Sequence, residues 1–155
     1  MRVVWLSAFA VTFVLSACAP ESTPQSTTGE SAAESAAIAE VDMESLLATA
    51  DLKRGQTLFL QCRACHSLEA GEPHKVGPNL SGMFGRKAGL AEGFAYSPAL
   101  SESDVVWTPE SLNAWLERPS EFLPGNRMVF IGVKKPVDRA NLIAYLQQAT
   151  AQTGQ

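Results

Sequence analysis

The chain has 155 residues, a length that favours a single domain, and a formal net charge of −4, which argues against nucleic acid as a partner. The charge is unevenly distributed, because residues 19–50 contain six acidic and no basic side chains, whereas residues 51–155 contain eleven basic and ten acidic ones. The first fifty residues are therefore predicted to differ in structure and role from the rest.

Residues 1–17 have the features of an export signal. Arg2 precedes an apolar run, Val3–Val14, and small residues follow before Cys18. The ending Leu15–Cys18 resembles a bacterial lipobox, in which cleavage before the cysteine leaves its thiol carrying diacylglycerol. Cys18 is thus the predicted lipid anchor. The alternative is an uncleaved membrane span, for which the apolar run is at the short limit. Both place the domain on the periplasmic side of a bacterial membrane.

Residues 18–50 are predicted to contain the lipid-anchor site and a flexible acidic tether. Ser, Thr, Ala, Pro and Glu dominate this segment, and such a composition buries too little apolar surface to become ordered. About 32 flexible residues have a root-mean-square reach of roughly 30 Å.

Residues 51–155 are predicted to form one all-α domain with three main helices. Asp51 is the predicted N-cap of the first helix, Thr108 with its following proline begins the second, and Pro136 begins the third. Pro119 ends the second helix. The segment Ser67–Tyr96 is rich in Gly and Pro and is predicted to be a loop. An apolar stripe on the last helix is expected to pack on the first: Leu142, Ile143, Tyr145, Leu146 and Ala149.

The motif Cys62-Arg63-Ala64-Cys65-His66 is the attachment signal of a c-type haem. Each thiol can add to one vinyl group of the porphyrin, and the spacing lets both sulfur atoms reach the same edge of the ring. His66 is thereby delivered to a position where its Nε2 can bind the iron.

Two other interpretations of the motif are weaker. A zinc site needs two further ligands, and only Cys18 and His74 remain, far apart in the chain. A redox dithiol needs no histidine after the second cysteine.

The sixth iron ligand decides between carrying electrons and binding an external ligand. Met128 follows a Pro124-Gly125 turn and is flanked by apolar residues, which makes its thioether a candidate. A lone methionine is more often part of a core than a ligand, and Met83 is predicted to be such a core residue. The residues alone leave the choice open.

From Leu52 to about Thr150 the sequence resembles class I cytochromes c of the mitochondrial type. Besides the haem motif, six pieces carry the resemblance in sequence and spacing: Lys75–Leu80, Phe84–Lys87, Gly93–Tyr96, Trp107, Pro124–Met128 and Arg139–Leu146. The resemblance implies one covalently bound haem c, with long loops wrapped around it. It also implies that Met128 is the sixth ligand and that the Pro78 carbonyl accepts from the other nitrogen of His66.

The resemblance implies further haem-binding residues. Tyr96 and Trp107 match propionate donors, and Arg86 matches a nearby cation. Asn126 stands where many members have a propionate-binding threonine, and it is predicted to serve as the donor. Trp115 replaces a frequent tyrosine on the methionine side of the haem.

Two more positions are given structural roles by the same resemblance. His74 matches a histidine that ties a loop through a hydrogen bond, and Gly55 matches a glycine that lets the terminal helices cross closely. Basic side chains are expected around the exposed haem edge: Lys75, Arg127, Lys134 and Lys135.

These features predict a membrane-anchored, single-haem electron carrier that is not an enzyme and binds no small-molecule substrate. Its expected donor is a bc1-type quinol-oxidising complex, and its acceptor is a terminal cytochrome oxidase or a photosynthetic reaction centre. One alternative is a haem domain with a labile sixth ligand that acts as a peroxidase or gas sensor. Another is a dedicated electron acceptor of a periplasmic dehydrogenase.

Overall fold

The computed structural model describes residues 42–151, which form six helices. They are α1 (Met43–Ala48), α2 (Leu52–Arg63), α3 (Pro98–Ser101), α4 (Pro109–Glu117), α5 (Pro119–Phe122) and α6 (Pro136–Ala151). No strand occurs in this part of the chain, where the sole β-type contact is an isolated antiparallel bridge between Lys87 and Val106. The predicted all-α fold with three main helices, α2, α4 and α6, is confirmed. None of the helices among residues 42–151 has the length and apolar character needed to cross a membrane.

Helices α2 and α6 cross closely and hold the two ends of the domain together. The Asp51 side chain caps α2 by accepting from the Arg54 N–H at 3.0 Å. The backbone of Gly55 lies against α6, where an added Cβ would clash with the Asn141 carbonyl oxygen and lie 2.7 Å from the Tyr145 Cβ. Only glycine fits this crossing, as predicted.

Helix α4 begins and ends where local signals place it. Thr108 and Ser111 form a capping box, in which each side chain bonds the other residue's backbone N–H. The helix ends at Glu117, two residues before Pro119. Pro119 then begins the short helix α5, which the sequence analysis did not predict, and its ring is fully buried.

The segment predicted to be a flexible tether contains the helix α1. The prediction is therefore wrong for residues 42–50, which belong to the folded domain. Asp42 caps α1 by accepting from the backbone N–H groups of Glu44 and Ser45. Met43 and Leu47 pack against the core, and α1 contacts α6. This helix was not predicted because its few large apolar side chains, Met43, Leu46 and Leu47, lie in an acidic segment and give little local signal. Residues 1–41, with the predicted signal peptide, Cys18 and most of the tether, lie outside the described residues, as do residues 152–155.

The core lies between α2, α4 and α6. Its buried members include the predicted Met83 and most of the α6 stripe: Phe59, Met83, Leu112, Trp115, Leu116, Val133, Leu142, Ile143 and Leu146. Several of these side chains also form the wall of an internal cavity.

Candidate functional site

A cavity of about 550 Å³ lies inside the domain, within the usual ~300–1,000 Å³ range of cofactor and ligand pockets. Its wall is mainly apolar and comes from the end of α2, the long loop after it, Trp107, α4, the segment around Met128 and α6. The loop Ser67–Tyr96 contains no helix, is braced by hydrogen bonds within itself and encloses part of this space.

Both thiols and the imidazole of the haem motif face this cavity. The Cys62 carbonyl oxygen, in the last turn of α2, accepts from the N–H groups of Cys65 and His66, each at 3.0 Å. This tight turn continues the helical path past Arg63, so Cys62, Cys65 and His66 all line the same cavity.

The surroundings of Cys62 argue against a redox dithiol. Burial raises the pKa of this thiol to about 11, and the neighbouring Cys65 acts in the same direction. A dithiol catalyst needs a thiolate near neutral pH, whereas Cys62 stays protonated. Within residues 42–151, no three His, Cys, Asp or Glu side chains form a group that could hold a metal ion by themselves.

His66 is held with one ring nitrogen engaged and the other open to the cavity. Its Nδ1 lies 2.8 Å from the Pro78 carbonyl oxygen. Because a carbonyl only accepts, Nδ1 carries the proton and Nε2 keeps its lone pair. Gly77 lies against the ring, where a Cβ would come within 2.8 Å of Nε2. Burial lowers the pKa of His66, so the imidazole is neutral, the form that binds metals.

Met128 reaches the same cavity from a different part of the chain. The turn before it closes with the Asn126 N–H donating to the Leu123 carbonyl at 3.2 Å, and Gly125 has φ +85°. Proline followed by glycine at positive φ is typical of a type II turn. The Met128 side chain is half-buried and lines the cavity. The donor set of two thiols, one neutral imidazole and one thioether fits a covalently attached haem.

Comparison with known proteins decides the family. The sequence model described as cytochrome c matches residues 52–150. A cytochrome c of Chlamydomonas reinhardtii is 54% identical over 102 residues, covering 65% of this chain and 91% of that protein. The cytochromes c of Sesamum indicum and Kluyveromyces lactis are each 45% identical, over 102 and 98 residues, covering 65% and 63% of this chain and 92% and 89% of theirs.

The chain belongs to the cytochrome c family. It is a class I c-type cytochrome that binds one covalently attached haem c and carries electrons.

Four other residues predicted to contact the haem line the cavity of this cytochrome c domain: Arg86, Tyr96, Trp107 and Trp115. Burial raises the pKa of Tyr96, so its phenol stays protonated and can donate. The rings of Trp107 and Trp115 meet edge to face with centroids 5.5 Å apart. The backbone N–H of Trp107 donates to the backbone carbonyl of Arg86 at 3.0 Å. The ring contact orients the two indoles in the wall, and the haem contacts of all four residues remain predictions.

Asn126 departs from its predicted role. Its Nδ2 donates to the Pro119 carbonyl at 2.9 Å and to the Leu123 carbonyl at 2.8 Å, so both amide hydrogens are engaged. Its Oδ1 accepts from the Met128 N–H at 2.9 Å, and Asn126 is not among the residues lining the cavity. The prediction of a propionate donor is therefore corrected: Asn126 is a loop-bracing residue. The prediction rested on the threonine that many family members have at this position. Asparagine differs from threonine because its amide has two N–H donors, and both reach neighbouring carbonyls.

His74 ties together two parts of the loop that follows His66. Its Nε2 lies 2.8 Å from the Glu92 carbonyl, and its Nδ1 accepts from the Asn79 N–H at 2.9 Å. Both nitrogens are engaged and the side chain does not line the cavity, which agrees with a loop-tying histidine.

Two loop-bracing residues were missed by the sequence analysis. Asn79 donates to the carbonyls of Glu69 and Glu72 at 2.7 and 2.9 Å. Arg139, which is 5% exposed, donates to the carbonyls of Val133 and Lys134, both at 2.9 Å. On α4, Asn113 accepts from the Arg139 Nε, and the Glu117 carboxylate lies 3.7 Å from the Arg139 Nη2. Arg139 lies three and four residues before Leu142 and Ile143 and thus continues the apolar stripe of α6, which is the sequence signal that could have revealed this anchor.

Proposed function

We propose that this chain is a membrane-anchored, single-haem electron carrier on the periplasmic side of a bacterial membrane. Cys62 and Cys65 attach the haem, and His66 and Met128 bind its iron. The observation that carries the proposal is the cavity, which combines two thiols, an imidazole with a free Nε2 and a thioether within one largely apolar enclosure. When bound, the haem supplies an iron that cycles between the ferrous and ferric states.

The residues of the cavity favour the reduced state. A histidine–methionine ligand pair raises the reduction potential, and an apolar wall disfavours the additional positive charge of the oxidised state. His66 and Met128 would be the two protein ligands of the iron, which would leave no ligand position for a substrate. Arg86, Tyr96 and Trp107 would hold the acidic edge of the cofactor as hydrogen-bond donors, and the Arg86 guanidinium would partly neutralise its charge.

The mouth of the cavity is the proposed docking face for redox partners. Val76 and Val129 line the cavity yet are 83% and 102% exposed. Arg127 also lines the cavity and is exposed. The Lys75 ammonium is positioned by the His66 carbonyl at 3.2 Å. An apolar centre with basic side chains beside it suits partners with acidic rims: a bc1-type quinol-oxidising complex as donor and a terminal oxidase or a reaction centre as acceptor.

Replacement of the proposed sixth ligand tests the ligation. In Met128→Leu the ferric protein should lose its six-coordinate low-spin spectrum and the methionine–iron charge-transfer band, and its potential should fall. Met83→Leu, which makes the same exchange in the cavity wall, is the matched control and should keep both. An unchanged spectrum and potential in Met128→Leu would refute the ligand assignment.

Replacement of Cys62 and Cys65 by alanine tests the attachment. Haem staining should disappear after denaturing electrophoresis of the double variant. Staining that survives would mean that other residues hold the cofactor.

The anchor is tested at Cys18. Mass spectrometry of the mature protein should find an acylated N-terminal Cys18, and Cys18→Ser should release the domain from membranes or leave its precursor uncleaved. Recovery of an intact Met1–Ala17 segment would instead support a membrane span.

Partners are tested by kinetics in purified membranes. Charge reversal at Lys134 and Lys135 should slow haem reduction and oxidation by membrane complexes, most strongly at low salt. Charge reversal at Lys53, which is exposed on α2 and is not among the basic residues that the family resemblance places around the haem edge, is the control. Equal effects at both places would argue against a docking face at the mouth of the cavity.

A further inference from the structure

The side chain of Asn126 connects Met128 to the body of the domain. Its Oδ1 accepts from the Met128 N–H at 2.9 Å, and its Nδ2 donates to the carbonyls of Pro119 and Leu123 at 2.9 and 2.8 Å. These three bonds use both amide donors and the amide oxygen. The orientation of the amide group is thereby defined, since a flipped group would face two carbonyls with its oxygen.

The residues at the far end of this connection are fixed. Pro119 is fully buried, and Leu123 caps the end of α5. The Leu123 carbonyl also accepts from the Asn126 N–H at 3.2 Å. Asn126 is therefore held on two sides before it contacts Met128.

The Met128 segment has few other backbone attachments. Among the described residues, residues 127–132 make a single backbone–backbone hydrogen bond. It is local and runs from the Phe130 N–H to the Met128 carbonyl at 3.1 Å. The next backbone anchor is the Val133 N–H, which donates to the Leu116 carbonyl at 2.7 Å. Between these points, the Asn126 side chain provides the hydrogen bond that holds the Met128 backbone.

The same arrangement occurs on the histidine side of the cavity. Asn79 donates through Nδ2 to two carbonyls, of Glu69 and Glu72, and accepts through Oδ1 from the N–H of Ser81, two residues later, at 2.7 Å. The loop that follows His66 and the loop that carries Met128 are thus each braced by one asparagine whose side chain makes three hydrogen bonds.

We propose that Asn126 is a positioning residue for Met128, which holds the thioether in the cavity and thereby limits replacement of this ligand. The proposal rests on the proposed function, in which Met128 binds the iron. Loss of the Asn126 amide leaves the haem attachment and His66 untouched but allows the Met128 segment to move away.

Binding of imidazole to the ferric full-length holoprotein tests the proposal, because imidazole binds only where Met128 has left. The free energy of a typical hydrogen bond corresponds to about a tenfold change in an equilibrium, so Asn126→Ala should bind imidazole about tenfold more tightly than the parent. Its methionine–iron charge-transfer band should also disappear at a lower temperature.

Asn141→Ala is the matched control. Asn141 is buried on α6 and accepts from the Asp51 N–H at 2.8 Å, and it does not line the cavity. This variant should unfold at a lower denaturant concentration while its imidazole affinity stays at the parent value. Equal increases in imidazole affinity for Asn126→Ala and Asn141→Ala would mean that general destabilisation is the cause, and the proposal would fail.

A second variant separates the bonds and serves if Asn126→Ala does not fold. Asn126→Asp keeps an acceptor for the Met128 N–H, lacks both donors and places a carboxylate oxygen against the Pro119 and Leu123 carbonyls, so its imidazole affinity should rise at least as much as that of the alanine variant. An affinity within twofold of the parent in both variants overturns the proposal. If the parent itself lacks the methionine–iron band, the ligand assignment fails. If the parent shows the methionine–iron band and neither variant changes the imidazole affinity, the positioning role of Asn126 is refuted while the ligand assignment of Met128 stands.

Discussion

Replacement of Gly55 by alanine should destabilise the domain, although alanine is the better helix former. In the interior of α2, alanine instead of glycine contributes about 1 kcal/mol of stability through propensity alone. The new Cβ would clash with the Asn141 carbonyl oxygen and lie 2.7 Å from the Tyr145 Cβ. Neither atom can move by rotation of a side chain, so the two helices must separate.

The balance of these two effects gives the expected magnitude. Overpacking of this kind costs about 1–3 kcal/mol, and contact with a backbone oxygen and a Cβ places Gly55 at the upper end of that range. After subtraction of the propensity gain, the free energy of unfolding should fall by about 2 kcal/mol.

Denaturant unfolding of the holoprotein, followed by circular dichroism and tryptophan fluorescence, measures this change. Gln56→Ala is the control, because Gln56 is the exposed neighbour on α2 and its loss should change stability by less than about 0.5 kcal/mol. A Gly55→Ala protein as stable as the parent, or more stable, would show that the crossing tolerates a side chain and would refute the reasoning.

Three further predictions concern the core, a helix cap and an ion pair. Leu142→Ala removes a fully buried side chain and should lower the free energy of unfolding by about 2–5 kcal/mol. Denaturant unfolding measures this loss, and a smaller value would mean that neighbouring side chains collapse into the space. Thr108→Ala removes half of the capping box with Ser111 and should cost about 1 kcal/mol. Thr108→Ser, which keeps the hydroxyl, should restore most of that stability, and failure to do so would contradict a capping role. The paired hydrogen bonds from Arg54, at 3.0 and 3.1 Å, hold the pKa of Asp138 below its ordinary value, so the pair stabilises the folded state at neutral pH and this contribution is lost on acidification. Asp138→Asn should lower the unfolding midpoint at pH 7, and the difference should shrink below about pH 4. A difference that does not depend on pH would exclude the ion pair as its source.

The haem motif, the helix N-caps and the turn before Met128 were predicted because their signals are local. Cys62 and His66 are four residues apart, and the capping box at Thr108 and the turn ending at Asn126 each span four residues. Steric and hydrogen-bonding preferences over so few residues act whatever the rest of the chain does. Resemblance to a family then supplied the long-range part, including the crossing at Gly55.

Resemblance did not supply contacts that depend on side chains particular to this sequence. Asn126 was predicted to face a propionate, but the tertiary structure places it within reach of the Pro119 and Leu123 carbonyls, which use both of its donors. Helix α1 depends on packing of Met43 and Leu47 against a core built mostly from residues far along the chain.

The sequence by itself determined how the haem is attached, because the two thiols and the imidazole are recognised by residue type and spacing, whereas the Met128 thioether was identified through the family resemblance. Only the tertiary structure decided how these groups are held. The bond between the Asp51 N–H and Asn141 joins residues 90 positions apart, and the bond from the Arg139 Nε to Asn113 joins α6 to α4 across 26 positions. Such bonds form only where folding has already brought donor and acceptor together and excluded water from them, and no local pattern encodes that proximity.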